Sequence, residues 1–204
     1  YPFSRAEYDR SIEEFSYNAA LVWRPEFGGA VRATAARGVQ APTMFDIGFT
    51  MPVDMGGGFM VALVGDPSIE PSIVTNYELA YDRRLTPTIN LRAAVFYQET
   101  QDVKGTFGGA PDYLPPSTPV VSFAFGNRGD TNIAGAEITL AGRPAGGWAW
   151  DVNYTYKTVE DDLAAFAVNT PLNFEAATPS HLANAHLGWT SGRITVDGYA
   201  NYTS

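Results

Sequence analysis

The residues of this chain best suited to bind a metal or a ligand are its four methionines, which all lie in the segment 41–72. Thioether sulfur is a soft, polarizable ligand for copper and iron, so the segment could contact a soft metal or haem. The same side chains also adapt to irregular apolar surfaces, and phenylalanines accompany them here. This composition favours apolar packing or contact with an amphipathic ligand over metal ligation. The candidate ligand-contact residues of the segment are Met44, Phe45, Met51, Met55, Phe59 and Met60.

The other groups that could do chemistry do not form a catalytic set. His181 and His186 are five residues apart, so on a strand they face opposite sides and do not share a metal ion. The G-x-S-x-G motif of a nucleophile elbow is absent. The acidic run 160–162 could bind calcium through its carboxylates, but such a run in a loop is more typical of a solvated surface. We therefore predict no catalytic residues, no enzyme activity, no metal site and no cofactor.

The elements that position these residues are strands, because apolar and polar residues alternate one by one along much of the chain. The clearest example is the segment 148–157, where one side is apolar and aromatic and the other is polar or charged. A period of two is the periodicity of a β-strand. The strands predicted in this way are 14–24, 30–40, 73–84, 88–101, 121–141, 147–159, 181–190 and 193–203.

The connections between the predicted strands alternate between short and long. Four short turns rich in Pro and Gly alternate with the long connections 41–72, 102–120 and 160–180, which we interpret as irregular loops. Long loops at one end only are rare in compact soluble domains but usual in outer-membrane barrels. The pattern predicts an all-β, transmembrane antiparallel β-barrel of the outer-membrane type. Phe107 and Tyr113 of the second long loop could stack on a ligand or cap the barrel mouth.

Composition narrows the class further. The chain is 45% hydrophobic, yet its longest apolar run is far shorter than the roughly 18–20 residues of a transmembrane helix. A net charge of −9 without a basic stripe argues against nucleic-acid binding. The absence of cysteine excludes a disulfide framework. A barrel is therefore the one membrane class that remains.

Strand parity assigns side chains to the two faces of the predicted wall. Polar groups on the inward face can be satisfied by water or by protein inside the barrel, whereas a charge facing lipid is costly. Arg37 falls on the outward face near the end of its strand, where snorkelling or a local bulge would explain it. The predicted lumen-facing polar residues are Asn76, Glu78, Glu137, Asn153, Lys157, Asn184 and His186.

Four stretches of the sequence resemble one known family. They are ARGVQAPTMFDIG (36–48), DPSIEPSIVTNYELAYDRRL (66–85), GNRGDTNIAGAEITLAGRP (126–144), and NYTYKT with TPSHLANAHLGW (153–158 and 178–189). In this order they resemble strands in the later part of the barrel of TonB-dependent outer-membrane receptors. The matching residues include Asn76, Tyr77, Glu78, Leu79, Asn127, Gly129, Gly135 and Glu137.

The resemblance implies active uptake of a scarce nutrient across the bacterial outer membrane. It implies about eight strands of a larger barrel of about 22 strands, a plug domain that closes the lumen, and energy from the TonB complex through an N-terminal region. The substrate would be a siderophore–iron complex, haem, cobalamin, a sugar or a peptide, and outer-membrane lipid would surround the wall. Because YPFSRAEYDR is not a signal peptide, we expect the chain to be an interior piece without the plug.

Other functions fit the strand pattern as well. A passive porin would have the same strands but no plug. A complete eight-strand barrel acting as an adhesin or anchor would have to close strand 14–24 against strand 193–203. An outer-membrane enzyme would need a nucleophile that the sequence does not indicate.

Overall fold

The computed structural model describes residues 3–57, 60–110, 120–164 and 173–204. They form two sheets and three short helices, and no helix among them is long and apolar enough to cross a membrane. The helices are α1 (Arg5–Tyr8), α2 (Met44–Gly48) and α3 (Phe174–Ala177). The strands are β1 (Tyr17–Trp23), β2 (Ala30–Gln40), β3 (Thr50–Asp54), β4 (Met60–Val64), β5 (Ser72–Thr86), β6 (Ile89–Gln101), β7 (Lys104–Ala110), β8 (Val120–Asn127), β9 (Gly129–Gly142), β10 (Trp148–Leu163), β11 (His181–Ser191) and β12 (Ile194–Thr203).

The large sheet has eight strands in the order β1-β2-β5-β6-β9-β10-β11-β12, and every neighbouring pair is antiparallel. Short turns join β1 to β2, β5 to β6, β9 to β10 and β11 to β12 at one end. The longer connections all lie at the other end. The predicted antiparallel barrel wall is therefore confirmed. Within the described residues β1 and β12 are the two edges of the sheet and do not pair with each other, so the sheet is open. The alternative of a closed eight-strand barrel, in which strand 14–24 would pair with strand 193–203, is therefore wrong.

The predicted single strand 121–141 is wrong, because the chain changes sheets at its middle. Its first part is β8, which belongs to the second sheet, and its second part is β9. The break comes at Gly129, whose φ of +126° favours glycine. A Cβ at Gly129 would lie 2.0 Å from the Asp162 carbonyl oxygen, so no side chain fits there. The alternation of polarity in fact stops here, because the run 126–132 (GNRGDTN) is polar or glycine throughout. The apolar positions change from odd-numbered residues before this run, such as Phe125, to even-numbered residues after it, such as Ile138. The prediction of one strand overlooked this interruption.

The long connections are also more ordered than the sequence indicated. The segment 41–72 contains α2, β3 and β4, the segment 102–120 contains β7, and α3 lies in 160–180. Their strands join β8 in a mixed sheet with the order β3-β4-β8-β7, in which β4 and β8 are parallel. We call this four-stranded sheet the loop sheet. It lies at the end of the wall opposite the short turns.

Two aromatic belts mark the apolar face of the large sheet, which we call the lipid face. Register places most of the tyrosines toward the loop-sheet end, and the tryptophans together with Tyr81 toward the short turns. In β10, Trp148 and Tyr156 are eight residues apart, or about 27 Å along a strand. Because barrel strands tilt by about 35–45°, this length corresponds to about 19–22 Å across the membrane, which is close to the apolar band of about 25 Å. The aromatic residues of the belts are Tyr17, Tyr77, Tyr97, Tyr154, Tyr156, Tyr202, Trp23, Tyr81, Trp148, Trp150 and Trp189.

Arg37 lies on the lipid face without a bulge. Arg37 pairs with Tyr17 of β1 and with Thr75 of β5, and neither register is interrupted, so the expected local bulge is wrong. Its guanidinium instead forms an ion pair with Glu14, with 2.8 Å between Nη2 and Oε2, and donates to the carbonyl of Phe15. The pairing neutralises the charge at the rim of the apolar band.

Candidate functional site

The candidate ligand-contact surface is built around α2, on the loop-sheet side of the wall. Thr43 and Asp46 cap this helix reciprocally. The Thr43 amide donates to Asp46 Oδ2 at 2.8 Å, and the Asp46 amide donates to Thr43 Oγ1 at 3.2 Å. The Gly65 amide donates to the carbonyl of Phe49 just beyond the helix, and a Cβ at Gly65 would lie 2.7 Å from the Ile47 carbonyl carbon. Glycine thus allows the end of β4 to approach α2 closely.

An aromatic group joins α2 to the loop sheet. The ring of Phe45 stacks on Phe49 with 3.9 Å between centroids and an interplanar angle of 23°. It also meets Phe125 of β8 edge-on at 5.4 Å. Phe45 nevertheless remains 48% exposed, and Met44 beside it is 83% exposed. An exposed ring held by two other rings is a rigid apolar platform that can contact a ligand.

The other predicted ligand contacts are dispersed over this region. Met51 on β3 and Met55 in the β3–β4 connection are exposed, whereas Met60 on β4 is partly buried. The methionines thus lie on separate elements. Phe107 falls in β7, and the described residues do not cover its side chain. The predicted contacts Phe59 and Tyr113 lie outside the described residues.

A largely buried ion pair, which the sequence did not indicate, holds α2 against β7. Lys104 Nζ lies 3.3 Å from Asp46 Oδ2, and the two side chains are only 16% and 17% exposed. The ammonium also donates to the Ala41 carbonyl at 3.4 Å. Partial burial raises the pKa of Asp46, but hydrogen bonds from Thr43 and the charge of Lys104 outweigh it and hold this pKa below its usual value.

The acid titration of this pair is a testable consequence. Because the folded-state pKa of Asp46 is lowered, its carboxylate stabilises α2 above the unfolded value of about 3.9, and the stabilisation is lost as pH falls through the folded value. We expect Lys104→Met to raise the pKa of Asp46 toward the ordinary value, measured by carbon-13 NMR of its carboxyl group. Lys157→Met is the control and should leave it unchanged. An unaltered Asp46 titration in Lys104→Met would refute the pairing.

The segment 127–129, which we call the junction, ties the long connections to one another. The Asn127 side chain accepts from the Glu70 amide at 2.8 Å and donates to the carbonyls of Glu70 and Asp102, both at 3.0 Å. Arg128 is 2% exposed and its guanidinium donates to the Ala164 carbonyl. Backbone bonds from Arg128 to Val103 and from Ala164 to Arg128, both 2.7 Å, complete it. The resemblance singled out Asn127 and Gly129, but the sequence did not show what they contact.

The segment that precedes β1 crosses the same region. The Arg10 guanidinium forms an ion pair with Glu70 at 3.2 Å and donates to the carbonyl of Ile69, which is 2% exposed. Since the Glu70 amide also donates to Asn127, the segment before β1, the β4–β5 connection and the end of β8 meet at Glu70. The connection from the loop sheet to the wall is therefore held both by the junction and by the segment before β1.

The face of the large sheet opposite the lipid face, which we call the lumen face, carries the polar residues. Glu78 Oε1 lies 3.4 Å from Arg32 Nη2 and 3.2 Å from Arg92 Nη2, so three strands share one ionic group. Asn153 donates to Thr139 Oγ1 at 2.9 Å. Register places all the predicted lumen-facing residues on this one face: Asn76, Glu78, Glu137, Asn153, Lys157, Asn184 and His186.

His186 has two charged partners that the sequence analysis missed. Its Nδ1 lies 2.9 Å from Asp151 Oδ1 and its Nε2 lies 2.9 Å from Asp197 Oδ1. The Tyr199 ring stacks on the imidazole at 4.7 Å and 14°. Counting back from the short turn between β11 and β12 would have placed Asp197 near His186, but Asp151 lies across a long connection, so its register with His186 could not be counted from the sequence. His181 is on the lipid face, where its Nδ1 lies 2.7 Å from the Tyr154 hydroxyl.

Comparisons with known proteins agree with this geometry. The family model described as TonB dependent receptor-like, beta-barrel matches residues 1–204. A search of curated proteins found no match. A solved structure of a mutant ferric enterobactin receptor PfeA from Pseudomonas aeruginosa, in complex with enterobactin, is similar with a TM-score of 0.64 and 16% identity. That alignment covers 91% of this chain and 27% of the receptor chain.

Two further solved structures show the same fold. The siderophore receptor PirA from Acinetobacter baumannii has a TM-score of 0.64 and 18% identity, and covers 89% of this chain and 27% of its own. The copper transporter OprC has a TM-score of 0.59 and 13% identity, and covers 91% of this chain and 25% of its own. The chain thus spans about a quarter of the length of these proteins. With the family model matching its whole length, it belongs to the family of TonB-dependent receptor β-barrels.

Proposed function

We propose that this chain forms part of the wall and the extracellular loops of an active transporter that takes up a metal chelate, foremost a ferric siderophore, across the bacterial outer membrane. One of the similar structures is described as a ferric enterobactin receptor and another as a siderophore receptor. The energy would come from the TonB complex through an N-terminal region, and a plug domain of the full-length protein would close the lumen. The surrounding lipid would contact the belts of the lipid face.

The platform on α2 is the observation that carries the proposal. A siderophore is amphipathic, with apolar or aromatic arms around a polar metal centre, so it can use an exposed ring at a solvent-facing end of the barrel. Phe45 offers that ring, and its stacking on Phe49 lowers the conformational entropy lost on binding. The exposed thioethers of Met44, Met51 and Met55 can adapt to ligands of different shape. The wall below supplies a polar lumen face along which a released substrate can pass.

Removing the aromatic ring of Phe45 tests this role. In the full-length receptor, Phe45→Ala should weaken binding of ferric enterobactin about tenfold, the equivalent of about 1.4 kcal/mol, because the ring contact is lost. Fluorescence quenching titrations with ferric enterobactin, haem and cyanocobalamin as probes measure the affinity. TonB-dependent growth on the iron complex as the sole iron source measures uptake.

The matched control is Phe174→Ala, which removes another surface aromatic ring, 36% exposed on α3, from the same end of the wall. It should bind the probe as the wild type does. If Phe45→Ala bound ferric enterobactin as tightly as the wild type, the Phe45 ring would not be part of the binding site. Uptake that is independent of TonB would favour the passive porin instead.

A further inference from the structure

The short-turn end of the wall is rich in arginine. The turns and the strand ends beside them comprise the segments 24–29, 83–88, 143–147 and 192–193. They contain one carboxylate, Glu26, and five arginines, although the whole chain has a net charge of −9. The turn arginines are Arg24, Arg83, Arg84, Arg143 and Arg193. All five are exposed, and none forms an ion pair with a carboxylate among the described residues, so this end of the wall offers guanidinium groups to an anionic partner.

Three aromatic rings meet on the lipid face at the turn between β1 and β2. Phe27 of the turn meets Trp23 of β1 edge-on, with 6.1 Å between the ring centroids. The same Phe27 ring lies 6.4 Å from the ring of Tyr81 on β5. Trp23 and Phe27 are both more than half exposed. We call Trp23, Phe27 and Tyr81 the turn cluster, which presents an apolar surface at the edge of the membrane.

The turn cluster is held in place by the backbone of its own turn. The Tyr81 hydroxyl donates to the carbonyl of Gly28 at 3.1 Å. A Cβ at Gly29 would lie 2.7 Å both from the Asp82 carbonyl oxygen and from the Tyr81 ring, and the φ of Gly29 is +85°. Glycine therefore lets the turn lie directly against Tyr81. The rings form a preformed surface, which lowers the conformational entropy lost when a partner binds.

Strand parity brings Arg83 to the membrane side of the turn cluster. Arg83 is on the same face of β5 as Tyr81, two residues or about 7 Å further toward the short turns. Arg84, the next residue, is on the lumen face, where it lines a polar cavity of about 410 Å³ together with Arg143. Its guanidinium also donates to the Pro87 carbonyl at 2.6 Å. Two adjacent arginines thus face opposite sides of the wall.

We propose that the turn cluster and Arg83 bind the headgroup of an anionic phospholipid in the inner leaflet of the outer membrane. This rests on the proposed function, because short turns of an outer-membrane barrel lie on the periplasmic side, beside that leaflet. Aromatic rings at this level contact the glycerol region and the upper acyl chains. A guanidinium binds phosphate through two parallel hydrogen bonds, and the other turn arginines add attraction for the anionic lipid. Such a bound lipid fixes the depth of the wall in the membrane.

Photo-crosslinking in vesicles tests the proposal. The full-length receptor is placed in vesicles of phosphatidylcholine and phosphatidylglycerol, in which part of the phosphatidylglycerol carries a photoactivatable headgroup. Mass spectrometry quantifies crosslinks to 23–29 relative to those at 148–150. This ratio should fall about fivefold in Arg83→Gln, as expected for the loss of one basic group at an anionic surface. The matched control is Arg84→Gln, which removes the neighbouring guanidinium from the lumen face and should leave the ratio unchanged.

Each outcome decides the matter. A fall in the crosslink ratio confined to Arg83→Gln supports the lipid site, whereas an unchanged ratio, or the same fall in Arg84→Gln, overturns it. Heat-modifiable migration verifies that each barrel has folded. If Arg83→Gln does not fold, Phe27→Ala removes a ring of the turn cluster without changing a strand, and crosslinks to 81–85 should fall instead. A receptor that does not reach the outer membrane would contradict the proposed function itself, while an unchanged ratio in an inserted receptor contradicts only the lipid site.

Discussion

Replacing Val152 with arginine should prevent most of the protein from inserting into the outer membrane. Val152 is 46% exposed on the lipid face of β10, between the tryptophan and tyrosine belts. A guanidinium near the middle of the bilayer costs about 2–4 kcal/mol, and among the described residues no carboxylate lies beside position 152 on the lipid face. Heat-modifiable migration and surface proteolysis of cells expressing the full-length receptor measure the folded, inserted fraction.

The matched variant Asn153→Arg places the same side chain one residue further along β10, on the lumen face. It loses the bond from Asn153 to Thr139 Oγ1, worth about 1 kcal/mol, but its charge meets a polar environment. We expect normal insertion. Equal tolerance of both variants, or a reversed order, would show that the assignment of the two faces is wrong.

The wall could be predicted from the sequence because each strand shows its two faces in the order of its own residues. A strand with lipid on one side and polar groups on the other must alternate, so Trp148 to Lys157 reveals both the strand and its faces. The short turns then fix the pairing within each hairpin, while alternation alone assigns the two faces of every strand. This is why the predicted lumen-face residues, from Asn76 to His186, share one side of the sheet.

The loop sheet could not be predicted in the same way, because its contacts are distant in sequence. Phe45 meets Phe125, and β4 pairs in parallel with β8, without any periodic signal that links the two segments. The switch of sheets at Gly129 is likewise a tertiary effect, since it depends on the approach of Asp162. The sequence identified the region of candidate ligand contacts but not the platform within it.

His186 shows where register adds chemistry that spacing conceals. In the sequence it stands 35 residues from Asp151 and 11 from Asp197, and no motif joins the three. Antiparallel pairing sets all three side chains on one face, on adjacent strands. A charged group inside the wall thus emerges from residues that, taken one at a time, suggest only solvated polar positions.

A single substitution at the junction should release the loop sheet while the wall stays folded. Asn127→Ala removes three hydrogen bonds, to the Glu70 amide, the Glu70 carbonyl and the Asp102 carbonyl. At about 1 kcal/mol each, the loss is about 3 kcal/mol, which raises the population of the opened loop sheet on the order of a hundredfold. Amide exchange of β4 and β8 measured by mass spectrometry should accelerate accordingly, while β10 and β11 stay protected.

The control is Asn132→Ala, which loses one bond, from the Tyr97 hydroxyl at 3.0 Å, and should leave the loop sheet unchanged. Because the platform ring Phe45 rests on Phe125 of β8, Asn127→Ala should also weaken ferric enterobactin binding. Unchanged exchange in β4 and β8 would mean that the backbone bonds of Arg128 suffice to anchor the loop sheet.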